Sequence, residues 1–348
     1  MELRSCGTSG LELSALGLGC WAFGGGDYWG ESDQENVTKL IHCAVEGGMN
    51  YFDTAEMYND GRSEEFLGKA IKGIPRDQLM IGTKIWPTYL YSDTLVEHCE
   101  ASLKRLGTDY MDIYMIHWPI GPRTVGSDDK EAQGGLPSLE KAVALLQKLQ
   151  QQGKVRHVGV SNFGVSKFDE ILEYGGEYAV NQLIYNPLTR AAEMEILPYC
   201  QQHGVGVIAY MVLLQSLLTD RYSSFDEIPE QYARIRHFSS KRTSLCRHGE
   251  EGAEVETMQT LTDIRTIAKE CGMSTAALAL KWTVANPAIT CTLVGTQSIS
   301  RLEMNLKAVE EPLPPDVVER VNVATAALKE KLGPSLDVFE SVENDRTR

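Results

Sequence analysis

Eight short apolar runs recur along the chain, each set off from the next by a stretch of helical character. The runs occupy residues 15–19, 49–53, 79–83, 111–117, 155–160, 178–182, 206–210 and 290–294. Helical stretches fall at 32–46, 63–72, 92–106, 139–152, 166–174, 193–203, 258–271 and 275–285. The first is the best defined, with Val37, Leu40, Ile41, Ala44 and Val45 on one face. Ser32 and Glu35 have capping-box spacing at its start, and Gly47-Gly48 ends it. Strands that alternate with helices make βα units and a parallel sheet. Eight such units predict an α/β fold closed into a single (β/α)8, or TIM, barrel rather than an open sheet. Residues 2–13 read as a β-hairpin ahead of the barrel, turning at Thr8-Ser9-Gly10. Long connections at 118–137 and 211–257 follow the fourth and seventh barrel strands, on the face where specificity loops belong. Residues 1–330 are thus expected to form one barrel domain, and the polar tail, 331–348, to be loosely held.

Gly17-Leu18-Gly19-Cys20-Trp21-Ala22 fits a dinucleotide fingerprint by spelling alone. That fingerprint needs a helix directly after its second glycine, whereas here the chain runs on through the loop-like Phe23-Gly24-Gly25-Gly26. A Rossmann reading is therefore set aside. The formal charge of −15 argues against nucleic acid or an anionic membrane as a partner. No apolar run approaches the roughly 20 residues that span a bilayer, and the first residues carry no basic-then-apolar signal pattern. The eight cysteines are scattered without Cys-x-x-Cys or zinc-ligand spacing. A cytoplasmic protein without structural metal or disulfides is expected.

Four residues stand at or just past the ends of successive runs: Asp53, Tyr58, Lys84 and His117. Singly, each has an ordinary structural reading: a loop cap, a surface aromatic, a solvated strand end and a core histidine. Together, at neighbouring strand ends of a barrel, they match what carbonyl reduction by hydride requires. A free tyrosine, with a pKa of about 10, is a poor acid at neutral pH. Lys84, held charged by Asp53, is expected to lower that value. Tyr58 would then be the general acid in reduction and the base in oxidation. His117 would donate a hydrogen bond to the carbonyl oxygen.

With these residues in place the chain resembles the aldo-keto reductase family, from about Leu3 to Ala324. The resemblance is carried by Asn50-Tyr51-Phe52-Asp53-Thr54-Ala55-Glu56-Met57-Tyr58, by residues 61–68, by Thr83-Lys84, by residues 102–112, by Ile116-His117-Trp118-Pro119 and by residues 153–163. It implies NADPH, with NADH as the alternative, bound across the barrel mouth without a Rossmann fold. Ser161, Asn162 and Gln182 would hold the nicotinamide carboxamide, and Tyr210 would stack on its ring. Further cofactor contacts are expected from Trp21, Asp53, Met211, Leu213, Gln215, Gly295, Thr296, Gln297, Arg301 and Asn305.

Two segments depart from the family pattern. After Tyr210 relatives usually continue with Ser-Pro-Leu and a glycine-rich turn, where this chain has Met211-Val212-Leu213-Leu214-Gln215. One hydroxyl contact to phosphate is lost, though backbone N–H groups can still serve. Gln297 stands where NADPH-preferring relatives commonly have a basic residue, leaving Arg301 to pair with a 2′-phosphate.

Trp86 and Trp118 follow Lys84 and His117, and Trp21 and Trp29 lie in the first βα loop, so with His117 an aromatic pocket wall is expected. It suits apolar or aromatic aldehydes and ketones, and sugars equally. Arginines and a lysine in 211–257, Arg234 among them, read most simply as a solvated basic loop, with reach to the cofactor or an anionic substrate as the alternative. A non-enzymatic partner protein on the same barrel, like the potassium-channel β-subunits, is the competing class. A Schiff-base lysine is disfavoured, because Asp53 would keep Lys84 protonated. The expected partner is a small carbonyl or alcohol; the sequence leaves oligomeric state open.

Overall fold

This computed structural model describes residues 1–26, 28–92, 94–125 and 135–348. A two-stranded antiparallel hairpin, β1 (Leu3–Ser5) and β2 (Glu12–Ser14), precedes the sheet. The barrel strands are β3 (Leu16–Gly19), β4 (Tyr51–Asp53), β5 (Met80–Ile85), β6 (Met111–Ile116), β7 (Val155–Ser161), β8 (Tyr178–Ile184), β9 (Gly206–Tyr210) and β10 (Cys291–Gly295). They pair in parallel in chain order, and β10 returns to β3, Thr292 against Leu16, to close the barrel. Closure leaves no sheet edge and buries both faces. This is why β6 and β8, buried at every position, show no apolar–polar alternation, although they carry the buried polar residues Asp112, Asn181 and Gln182.

Helices cover the outside: α1 (Gln34–Glu46), α2 (Arg62–Ala70), α3 (Leu95–Leu106), α4 (Leu139–Gln151), α5 (Val165–Leu172), α6 (Ile196–Gln202), α7 (Glu254–Glu270) and α8 (Thr275–Ala285). After the last strand come α9 (Ile299–Ala308) and α10 (Pro315–Leu332), two helices beyond those expected from sequence. The start of α1 is also corrected. Asp33, not Ser32, is the N-cap, its carboxylate accepting from the Asn36 N–H at 2.7 Å.

Two apolar clusters hold the fold. The larger lies between strands and helices. The smaller fills the barrel itself, with Tyr51, Ile113, Met115, Val180, Ile208 and Leu293 joined by Cys6, Leu11 and Leu13 of the hairpin, which plugs the floor. Room for the Tyr51 ring comes from glycine. A Cβ on Gly82 would stand 2.3 Å from the Tyr51 hydroxyl, and one on Gly17 2.9 Å from its ring. That hydroxyl donates to Asp53 Oδ1 at 3.3 Å, so the barrel core supports the mouth directly.

The tail is not loosely held. Asp337 and Arg346 form a buried ion pair through N–H bonds of 2.6 and 2.9 Å. The Arg236 N–H donates to Val338 O at 2.8 Å and the Gly164 N–H to Thr347 O at 2.9 Å. Its polar groups find partners in one another and in the barrel loops, so the segment packs down despite its composition. Of the two long connections, 211–257 is fully described, while residues 126–134 of the other lie outside the described residues. Among the described residues no helix is long and apolar enough to cross a membrane.

Candidate active site

The carboxyl ends of β4, β5 and β6 bring the four singled-out residues together. Asp53 is the last residue of β4, Lys84 lies inside β5 rather than just beyond it, and His117 follows β6. Lys84 is fully buried. Its ammonium donates to Asp53 Oδ2 at 2.8 Å, to the Thr54 carbonyl at 2.8 Å and to the Tyr58 hydroxyl at 3.1 Å. A buried cation with all three protons placed is held at one point, directly against the phenol. Tyr58 itself sits in the turn after β4, with Asn59, Asp60 and Gly61 at φ of 52°, 56° and 82° turning the chain into α2. The Asn59 amide donates to the carbonyls of Trp21 and Phe23 at 2.8 and 2.7 Å, locking the first βα loop beside Tyr58. The His117 ring stands edge-on to Tyr58, with centroids 5.7 Å apart.

Electrostatics correct one expectation. The Tyr58 hydroxyl is pushed well above its ordinary value by burial first, and then by the charge of Asp53. Burial therefore outweighs the nearby ammonium, and the resting phenol is protonated. Burial also lowers Lys84, opposed by Asp53. His117 is held well below its usual range by burial and by Lys84, so it is a neutral imidazole, and its buried Nδ1 has no hydrogen-bond partner. A neutral acid, a neutral imidazole and a carboxylate-held ammonium thus meet at the carboxyl ends of β4, β5 and β6.

The residues expected to hold the nicotinamide form a connected row beside this group. Gln182 Nε2 donates to Asp53 Oδ1 at 2.7 Å, and Ser161 Oγ donates to the Gln182 carbonyl at 3.0 Å. Asn162, at φ 64°, donates to the His117 carbonyl and to Ser161 Oγ, both at 3.1 Å, and accepts from the Tyr210 hydroxyl at 2.7 Å. Amide and hydroxyl groups in this order offer both donors and acceptors, the chemistry a carboxamide needs. Beyond Tyr210 the backbone turns left-handed at Met211 (54°) and then at three successive residues, Leu214 (42°), Gln215 (53°) and Ser216 (74°). A tight turn of this kind can gather successive N–H groups into an anion-binding concavity. It fits a pyrophosphate where the hydroxyl of relatives is missing.

Gly295, Thr296 and Gln297 lie at the end of β10, with Arg301 and Asn305 one turn apart on α9. Gln297 is already engaged: its amide donates to Ala22 O at 3.3 Å and its carbonyl accepts from Asn36 at 2.8 Å. The Arg301 side chain is exposed. The donor set therefore fits a nicotinamide dinucleotide. Among the described residues no group of three or more His, Cys, Asp or Glu could hold a metal ion.

The aromatic wall is only partly as expected. Trp21 lies 5.9 Å from Tyr58 between ring centroids, Trp29 stands edge-on to Trp21 at 5.1 Å, and Trp86 edge-on to His117 at 5.2 Å. Trp118 departs from this. It is 7% exposed and covered by the Arg346 guanidinium 4.0 Å from its ring, so it backs His117 instead of facing the opening. Two residues were not singled out from sequence. Tyr28 stacks on Trp21 at 5.2 Å and accepts from Gln215 Nε2, tying the first and seventh loops across the mouth. Buried Glu56 accepts the Trp86 N–H at 2.9 Å and pairs with His98 at 2.6 Å, fixing Trp86. Tyr28 follows a run of glycines, a legible loop; Glu56 carried no separate signal.

A model of the aldo/keto reductase family matches residues 15–325. The chain is 37% identical over 238 residues to the NADH-specific methylglyoxal reductase of Escherichia coli K12, covering 63% of this chain and 69% of that protein. It is 31% identical to a putative voltage-gated potassium channel subunit beta of Schizosaccharomyces pombe, covering 92% of each. The crystal structure of an aldo/keto reductase from Klebsiella pneumoniae in complex with NADP and acetate superposes with a TM-score of 0.69 at 25% identity, covering 98% of this chain and all of that one. This chain belongs to the aldo/keto reductase family, and its reductase relatives support an NAD(P)-dependent oxidoreductase acting on carbonyl groups.

Proposed function

We propose that this protein reduces aldehydes or ketones to alcohols, reversibly, with NADPH and with NADH as second choice. The observation that carries the reading is the Lys84 ammonium held between Asp53 and the Tyr58 hydroxyl, with His117 beside them. When bound, the nicotinamide cofactor supplies the hydride. Ser161, Asn162 and Gln182 orient its carboxamide, Tyr210 covers the ring, and the left-handed turn at 214–216 receives its phosphates. The substrate oxygen lies between Tyr58 and His117. His117, neutral, donates to it and stabilises negative charge as it develops. Tyr58 gives up its proton in reduction and takes one back in oxidation, with Lys84 stabilising the phenolate in between. Exposed Arg301 supports NADPH, while Gln297, a neutral residue already engaged at the end of β10, keeps NADH in play. Trp21, Trp29 and Trp86 suit apolar, aromatic or sugar-like carbonyls. The free thiols of its eight cysteines suit a reducing cytoplasm.

The test is NADPH- and NADH-dependent reduction of 4-nitrobenzaldehyde by the wild type and by Tyr58→Phe. The variant is expected to lose at least about 10²-fold in kcat while cofactor still quenches tryptophan fluorescence. Retained turnover would remove Tyr58 as proton donor. A second reading, a slow-turnover cofactor-sensing partner, is favoured by the similarity to the channel subunit. It predicts negligible turnover and a stable tetramer on a sizing column.

A further inference from the structure

Within the long loop after β9, three of the six lysines and arginines, Arg236, Arg242 and Arg247, are paired with carboxylates. Arg236 pairs with Glu250 at 2.8 Å and Arg242 with Glu254 at 2.9 Å. Of the three that are not, Arg221 and Lys241 are exposed to solvent, whereas Arg234 is half-buried. Among the described residues it has no carboxylate partner within 4.0 Å, and its buried Nε has no hydrogen-bond acceptor. Its guanidinium is wedged between two rings, 5.8 Å from the centroid of Tyr28 and 5.1 Å from that of Phe339 in the tail. Tyr28 stacks on Trp21, and Trp21 touches Tyr58. Arg234 is therefore a cation on the rim of the mouth, joined to the reacting phenol by an aromatic platform.

The neighbourhood has more positive than negative charge. Arg346 is taken by Asp337 at 2.6 Å. Glu340 is shared by Arg247 at 3.0 Å and Arg123 at 3.8 Å. Four guanidiniums thus meet two carboxylates, in a chain whose overall charge is −15. Arg247 is lowered by burial first and then by repulsion from Arg346, opposed by Glu340 and Asp337, with Arg234 adding a weaker repulsion. A guanidinium without a carboxylate partner is well matched, through its terminal N–H groups, to carboxylate or phosphate oxygens, and concentrating positive charge at an opening draws anions to it.

We propose that Arg234 is a specificity residue that binds the anionic end of an elongated carbonyl substrate, whose carbonyl lies at Tyr58 and whose body lies along Trp21 and Tyr28. This rests on the oxidoreductase reading and names its substrate class: a carbonyl compound with a terminal phosphate or carboxylate several carbons away. Aromatic faces along the path suit the body of such a molecule, sugar-like chains included.

The test compares glucose 6-phosphate, glucuronate and glucose, which share the same carbonyl end, with 4-nitrobenzaldehyde as a neutral reference. In the wild type, kcat/KM for one or both anionic sugars should exceed that for glucose by about tenfold or more. Arg234→Met should bring that ratio close to one, and Arg234→Lys should restore part of it. A phosphate-only or carboxylate-only preference that Arg234→Met removes supports the proposal and names the anion. Fluorescence titrations with NADPH and NADH should be the same in Arg234→Met and wild type. Three results would overturn the proposal: no anion preference in an enzyme that reduces 4-nitrobenzaldehyde, a preference that survives Arg234→Met, or weakened cofactor binding in that variant, which would assign Arg234 to the cofactor phosphates. Failure of the wild type to reduce any of the four would instead bring down the oxidoreductase reading, and this one with it.

Discussion

Lys84 is the residue on which the site turns. Burying an ammonium costs several kcal/mol unless charge and hydrogen bonds compensate, and here Asp53, the Thr54 carbonyl and the Tyr58 hydroxyl provide the compensation. Lys84→Met removes the cation and leaves Asp53 buried without it. A loss of about 3–5 kcal/mol in stability is expected, together with a fall in kcat of about 10²- to 10⁴-fold. Denaturant unfolding and steady-state kinetics on the same preparation check both. At this scale the four reacting residues were legible, because a carboxylate, phenol, ammonium and imidazole at successive strand ends are chemically unusual in combination. The direction of the Tyr58 shift was not. It depends on how deeply the ring is enclosed, and Trp21, which packs beside it from another loop, contributes to that enclosure. The solvated reading of the basic loop holds for exposed Arg221 and Lys241 but not for Arg236 and Arg242, which pair with Glu250 and Glu254.

At the scale of elements, the strands place the site and the loops close it. β4 and β5 must lie close enough for Lys84 to reach Asp53, and Tyr51 fills the barrel immediately below, its hydroxyl 2.3 Å from where a Cβ on Gly82 would stand. The ring is enclosed in the barrel core, so it cannot swing aside cheaply. Gly82→Ala is expected to cost about 1–3 kcal/mol, lowering Tm in a thermal melt, and to reduce kcat by displacing the support of Asp53. An unchanged Tm would mean that the barrel interior is looser than these contacts imply. All eight barrel strands were legible from apolar runs, and α8 to the residue. α10 was missed although Val317, Val321, Leu328 and Leu332 recur at helical spacing on its buried face and Pro315 stands at its start. The signal was present, but among the described residues no further strand follows the segment to frame it as part of a βα unit. For α1 the error was one of choice between adjacent caps, Ser32 and Asp33, which sequence spacing alone does not separate.

For the whole molecule, the described C-terminal segment and the loop after β9 pack onto the mouth together, through Arg236 to Val338 and Arg247 to Glu340. Composition suggested the opposite for the tail, because a polar segment whose partners are polar looks the same in sequence as one that is solvated. Burial also sets the pH response of the fold. His237 is lowered to about 4 and His117 well below its usual range, both mainly by burial. The unfolded chain takes up protons at about pH 6.5 that the folded chain refuses, so stability is greatest above that pH and declines as pH falls towards 4. Tm measured from pH 8 to 5 should fall accordingly, with a shallower decline in His237→Gln. The central claim, that a protonated Tyr58 rather than His117 delivers the proton, is tested most directly by the pH dependence of the hydride-transfer step in single-turnover reduction. The rate is expected to stay level through neutral pH and fall only at or above about pH 10, where a raised phenol loses its proton. A fall centred between about pH 6 and 7 would assign the proton to the imidazole and contradict the account.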